Sequence, residues 1–60
     1  MKNLDEIKLI LEKVDQREFA YKSGVSYSNI KKIMNGHVNV RYSTILKINN
    51  CLESHYANSL

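Results

Sequence analysis

The chain has 60 residues, with one cysteine, no proline and a formal net charge of +3. This length allows one domain, residues 1–60, whose small core needs support from tight helical packing or self-association. A single cysteine excludes an internal disulfide and, with two distant histidines, argues against a metal site, so no cofactor is expected. No apolar run approaches the ~20 residues of a membrane span, and the lone thiol favours a reducing, cytoplasmic compartment.

A first helix is predicted from Leu4 to about Lys13. Asn3 can cap this helix, and Glu6, three residues later, completes a capping box. Apolar residues then recur at three- and four-residue spacing, which predicts a stripe that faces the core. The stripe consists of Leu4, Ile7, Leu11 and Val14, with Leu9 and Ile10 widening it.

Two short helices joined by a tight turn are predicted at about residues 16–35. Asp15 and Glu18 form a second capping box before the first of these helices. The small Ala20 lets the following helix approach closely, and Gly24 supplies the left-handed conformation that ends a helix in a sharp turn. The residues predicted to point inward are Phe19, Ala20 and Val25.

The second helix of this pair is predicted from Tyr27 to about Met34, with Ser26 as its cap and Asn35-Gly36 as its stop. Its predicted inward residues are Ile30, Ile33 and Met34. Its predicted outward residues are Tyr27, Ser28, Lys31 and Lys32. An aromatic ring, a hydroxyl and two amines can hydrogen-bond base edges and hold phosphates, although any amphipathic helix has a polar face.

The segment that follows admits two interpretations. Residues 38–42 alternate apolar and polar side chains, a strand signal that allows a β-hairpin. Residues 45–52 repeat apolar side chains at a helical period, which predicts an extended connection and then a fourth helix from Arg41 or Ser43 to about Glu53.

The charges are divided along the chain. Residues 1–18 carry five acids and four bases, whereas residues 19–52 carry five bases and no acid. A carboxylate on a surface that faces phosphates would repel them, so this division favours a nucleic-acid partner. A solvated lysine-rich face is the alternative explanation.

Taken together, these residues resemble the phage Cro/repressor type of helix-turn-helix. The resemblance spans roughly residues 4–52 and depends on Gln16, Phe19-Ala20, Ser23-Gly24-Val25-Ser26, Ile30, Met34-Asn35-Gly36, Thr44 to Ile48 and Leu52. Members of this family are compact helical domains that bind operator DNA, commonly as symmetric dimers. The resemblance implies an all-α, four-helix repressor-like fold, with room for a short fifth turn in residues 54–60. An α+β Cro-like fold with a C-terminal β-hairpin is the alternative.

The resemblance and the charge pattern also imply roles for individual residues. Base reading is expected of Tyr27, Ser28, Lys31 and Lys32. Phosphate binding is expected of Gln16, Arg17, Lys22, Ser26, Asn35, His37, Asn39 and Arg41. Tyr27 stands where glutamine is common in the family, so the base preference is not inherited. Val40 stands where proline often precedes the fourth helix, a departure that concerns the start of that helix.

The expected function is that of a sequence-specific transcription regulator, a Cro-like repressor acting as a homodimer on a palindromic operator in double-stranded DNA. A helical protein-interaction module, such as an antitoxin component, is the alternative from another class. RNA binding is disfavoured because the chain has only two arginines. His37 and His55 lie far apart in the sequence, so neither enzymatic activity nor a small-molecule ligand is expected.

Overall fold

The computed structural model describes residues 1–37 and 39–56, and these residues form four α-helices and no strand. The helices are α1 (Leu4–Leu11), α2 (Gln16–Ser23), α3 (Tyr27–Met34) and α4 (Tyr42–His55). The prediction of an all-α fold is therefore confirmed for this part of the chain. Among the same residues, no helix combines the length and the apolarity that crossing a membrane requires.

α1 begins with the predicted capping box. The Asn3 side chain accepts the Glu6 amide at 2.9 Å, and the Glu6 carboxylate accepts the Asn3 amide at 3.3 Å. The helix ends at Leu11, two residues before the predicted end. The Lys13 amide donates to the Ile10 carbonyl, three residues back, which is the tighter turn of a 3₁₀-helix. This turn ends α1 before Asp15, the cap of α2.

Leu9 departs from the predicted core-facing stripe, because its side chain is 60% exposed. Ile7 and Leu11 are both fully buried, and Leu9 lies two residues from each of them. Two residues correspond to about 200° around a helix, which turns the Leu9 side chain to solvent. The stripe is therefore narrower than its apolar composition suggests.

α2 is capped by Asp15, whose Oδ1 accepts the Arg17 and Glu18 amides at 3.0 and 3.1 Å. The predicted capping box is only half formed here, because the Glu18 carboxylate pairs with Lys22 at 2.6 Å instead of returning to the cap. Gly24 ends α2 with the left-handed φ of 75° that the sharp turn requires.

α3 has the predicted cap and the predicted stop. The Ser26 hydroxyl accepts an amide from the first turn at 3.3 Å. At the other end, Gly36 adopts a φ of 91°. The Gly36 and His37 amides donate to the Ile33 and Lys32 carbonyls, both at 3.0 Å. This pair of bonds is the Schellman arrangement, which satisfies carbonyls that the helix end would otherwise leave open.

α4 starts at Tyr42, within the predicted interval, and continues two residues past the predicted end. The alternative of a β-hairpin is wrong for the described residues, because residues 39–41 form no strand and Tyr42 is already helical. The helical period prevails since it buries Ile48 and Leu52, which are 0% and 2% exposed.

Two sequence interpretations concern positions outside the described residues. Val38 belongs to the strand signal, and residues 57–60 belong to the segment considered for a short fifth turn. The described part of the chain ends at Tyr56, the C-terminal cap residue of α4.

The core is small and is built from every helix and from the turn at Val25. α2 packs against both α3 and α4, and α1 packs against α3. The buried apolar side chains are Ile7, Leu11, Phe19, Ala20, Val25, Ile30, Ile33, Ile48, Cys51 and Leu52. The inward residues predicted for α2 and the turn are therefore confirmed.

Asn49 is the one buried polar side chain of the described residues, 5% exposed. Its Oδ1 accepts the Lys2 amide at 2.7 Å, and its Nδ2 donates to the Lys2 carbonyl at 3.3 Å and to the Ile45 carbonyl at 2.9 Å. The Asn49 side chain thus binds both the amide and the carbonyl of Lys2 and joins the start of the chain to α4.

Replacing Asn49 with alanine should lower the free energy of unfolding by about 1–3 kcal/mol, because the half-buried backbone groups of Lys2 lose their partners. Denaturant unfolding followed by circular dichroism measures this change. Asn50→Ala is the matched control, since Asn50 is exposed on the same helix and should change stability by less than about 0.5 kcal/mol. Equal losses in both variants would contradict the proposed contribution of the Asn49 bonds.

Candidate nucleic-acid interface

The outer face of α3 is exposed because the opposite face is anchored in the core. Ile30 is fully buried and Ile33 is 3% exposed. Ser28, Lys31 and Lys32 consequently face solvent. The structure thus places three of the four predicted base-reading residues on one open helix face.

Tyr27, the fourth predicted base-reading residue, is half-buried and lies beneath two cations. The Arg17 guanidinium carbon is 4.7 Å from the Tyr27 ring centroid, and the Lys31 Nζ is 5.6 Å from it. Both distances fall in the cation–π range, where each contact contributes about 0.5–1 kcal/mol at an exposed site. Arg17 belongs to the first turn of α2, so this ring connects the start of α2 with the start of α3. We call Arg17, Tyr27 and Lys31 the Tyr27 cluster.

A recess of about 340 Å³ lies beside α3, with walls from α3, α4 and the segment between them. Its polar lining consists of Asn29, Lys32, His37, Asn39, Arg41 and Thr44. The structure therefore brings the base-reading candidate Lys32 together with three phosphate-binding candidates of the connecting segment. We call this site the loop recess.

Three further phosphate-binding candidates have local roles at the helix ends. The Gln16 Nε2 donates to the Leu11 carbonyl at 3.4 Å, so the amide nitrogen of this side chain helps to end α1. The Ser26 hydroxyl accepts the Asn29 amide at 3.3 Å as the cap of α3. Asn35 is exposed and forms the C-terminal cap of α3.

Lys22 is not brought together with the other candidates. Its Nζ lies 2.6 Å from the Glu18 carboxylate and 5.4 Å from the Tyr56 ring centroid. It lines a shallow hollow with Lys47 and His55 of α4, away from both the Tyr27 cluster and the loop recess. Its charge is thus partly offset by a carboxylate, unlike the lysines of α3.

Asn29 and Thr44 line the loop recess but are absent from the predicted set of site residues. Asn29 precedes Lys32 by three residues, a spacing that places two side chains on the same helix face, and this signal was sufficient to identify it. Thr44 belongs to another helix, so its place in the recess follows only from the tertiary fold. The contact of Arg17 with Tyr27 is likewise invisible in the sequence.

The Tyr27 cluster and the loop recess form a basic surface around α3 whose described residues include no carboxylate. Glu18, the acid next to Arg17 in sequence, pairs with Lys22, and Asp15 uses its Oδ1 to cap α2. Such a surface can hold an anion without repulsion from a carboxylate. Comparison with protein-family models, with curated proteins and with solved structures gave no significant match.

Three ionisable groups on the other side of α2 have pKa values raised by the fold. Burial raises the pKa of the Cys51 thiol and of the Tyr56 phenol, and nearby Lys22 opposes both effects only in part. The hydrogen bond to Glu18 raises the pKa of Lys22. In each case the folded state holds a proton that the unfolded state releases at lower pH.

The free energy of unfolding should therefore fall as the pH rises through about 8.5 to 10.4, the range in which the unfolded thiol, phenol and ammonium group lose their protons. Denaturant unfolding across this pH range measures the slope. Cys51→Ala and Tyr56→Phe should each make the slope shallower. Tyr21→Phe is the control, because Tyr21 is 88% exposed, and an equal effect of this control would contradict the assignment.

Proposed function

We propose that this chain is a sequence-specific DNA-binding regulator of transcription, a repressor similar to the Cro/repressor type of helix-turn-helix. It inserts α3 into the major groove of an operator. The observation that carries this proposal is the carboxylate-free basic surface formed by the Tyr27 cluster and the loop recess. A polyanion is the partner for which such a surface is suited, because each neutralised phosphate releases counterions and so adds affinity.

The shape of the surface supports double-stranded DNA in particular. The major groove is about 12 Å wide and admits a single α-helix, and α3 presents an open polar face between two basic sites. Ser28, Lys31 and Lys32 on this face can hydrogen-bond base edges, with lysine suited to the O6 and N7 of guanine. The loop recess adjoins α3, and its His37 and Arg41 would bind the phosphates that border the groove.

A homodimer completes the proposal. The face offered by one α3, eight residues long, covers only a few base pairs. Two copies related by a two-fold axis would place their α3 helices in successive major grooves about 34 Å apart, on a palindromic site. Repression would then follow from occupying DNA that RNA polymerase needs.

The decisive experiment is selection from a randomised pool of double-stranded DNA, followed by affinity measurements at two salt concentrations. We expect a palindromic consensus with half-sites one helical turn apart. If the two copies neutralise about six phosphates, affinity should fall roughly a thousandfold between about 50 and 200 mM salt. A flat salt dependence and the absence of a consensus would reject the proposal.

Lysine variants test the assigned surface residue by residue. Lys32→Ala should weaken binding to the selected site by about 1–3 kcal/mol if the amine contacts a base, with a smaller loss on random DNA. Lys22→Ala should cost less, because Lys22 already pairs with Glu18 away from α3. Lys13→Ala is the charge-matched control, since Lys13 lies beside Asp15 and Glu18 in a different hollow. Anisotropy titrations compare the three, and equal losses would contradict a role for α3.

A protein-interaction module is the second candidate, and one observation favours it. Tyr42 and Leu46 are 65% and 40% exposed, and they lie one turn apart on α4. Contiguous exposed apolar patches mark protein-interaction sites, and these two side chains are neighbours on one face of α4. If this candidate is correct, Tyr42→Ala should abolish binding to the partner protein, and the unmodified chain should show no salt-dependent affinity for double-stranded DNA.

A further inference from the structure

The side chain of Arg17 is held at the start of α3 without a carboxylate partner. Its backbone amide is fixed by Asp15 at 3.0 Å, and its guanidinium reaches across to the Tyr27 ring at 4.7 Å. The ion pair within the described residues joins Lys22 to Glu18 and does not involve Arg17. An aromatic ring attracts a cation through its electron-rich face, and it occupies none of the five N–H donors of the guanidinium. Arg17 is thus positioned with its donors available.

Lys31 adds a second cation over the same ring, at 5.6 Å. Two like charges gathered at one ring repel each other, and a bound acceptor relieves this repulsion. The acceptor for which the pair is suited is therefore rich in electrons, either a phosphate or the O6 and N7 edge of guanine.

The position of Tyr27 in the helix-turn-helix indicates which of these two acceptors, phosphate or guanine, is favoured. Tyr27 is the first residue of α3. In a helix-turn-helix, the first helix crosses the phosphate backbone, whereas the N-terminal residues of the second helix meet the base edges. Arg17 belongs to the first helix, α2, but its guanidinium lies over the Tyr27 ring at the N-terminus of the second, α3. When α3 enters the major groove, a guanidinium over this ring comes close to the base edges. Its two coplanar N–H donors match the O6 and N7 acceptors of guanine.

We propose that Arg17 reads a guanine in the major groove and that Tyr27 acts mainly as a positioning residue that holds Arg17 there. This inference rests on the proposed function and refines it. It assigns Arg17 to the base-reading residues instead of the phosphate-binding ones. It assigns Tyr27 to positioning Arg17 instead of reading a base directly.

The test measures affinity for the selected consensus and for a panel of sites in which each base pair is changed in turn. Arg17→Lys keeps the charge but removes the planar fork, so the preference for guanine at one position should fall roughly 5- to 150-fold. Its affinity for random DNA and the salt dependence should stay unchanged. Tyr27→Phe keeps the ring and should behave as the unmodified protein. Tyr27→Ala should lose the same preference at the same base pair.

Each alternative outcome has a definite meaning. If Arg17→Lys is neutral and Arg17→Ala weakens consensus and random DNA equally, Arg17 is a phosphate contact and the inference is overturned. If Tyr27→Ala changes the preference at a different base pair, Tyr27 reads that base itself and its positioning role is overturned. Thermal unfolding of all four variants separates these outcomes from loss of fold. Failure of the unmodified protein to bind any DNA would reject the proposed function as well, whereas normal binding with a neutral Arg17→Lys rejects the inference alone.

Discussion

The burial of Phe19 is the contact on which the rest of the molecule depends. Its ring is fully buried on α2, the helix that packs against both α3 and α4, and it lies 5.5 Å from the Tyr56 ring at the end of α4. Helices as short as α2 and α3, eight residues each, are marginal in isolation, so their conformation comes from this packing. The geometry of Arg17 over Tyr27 is consequently a property of the core.

Three of the six acids of the chain stabilise the fold in ways that leave the outer face of α3 free of carboxylates. Glu6 closes the cap of α1, Asp15 caps α2, and Glu18 holds Lys22. Each of these carboxylates lies at or near a helix N-terminus, where the helix dipole favours negative charge. The same division of charge that suits α1 and α2 thus leaves α3 with uncompensated cations.

The sequence was sufficient for features that depend on a few neighbouring residues. The caps at Asn3, Asp15 and Ser26 and the glycine stop at Gly24 follow from local backbone chemistry, and all were predicted correctly. Contacts that join distant helices were not predictable, because periodicity gives the face of a helix but not the neighbour it meets. The stacking of Arg17 on Tyr27, the place of Thr44 and the bonds of Asn49 belong to this class.

The Asn49 bonds to Lys2 join residues 47 positions apart and so close a loop that contains α1, α2 and α3. Closing a loop of this length costs chain entropy before the Asn49 bonds can stabilise it. We therefore expect this closure late in folding, after the helix pairs that are closer in sequence have formed. Release of the chain start therefore removes one of the contacts that hold α4, beside the buried side chains Ile48 and Leu52. An N-terminal fusion would accordingly act on α4, which is distant in sequence but adjacent in space, and whose first turn lines the loop recess.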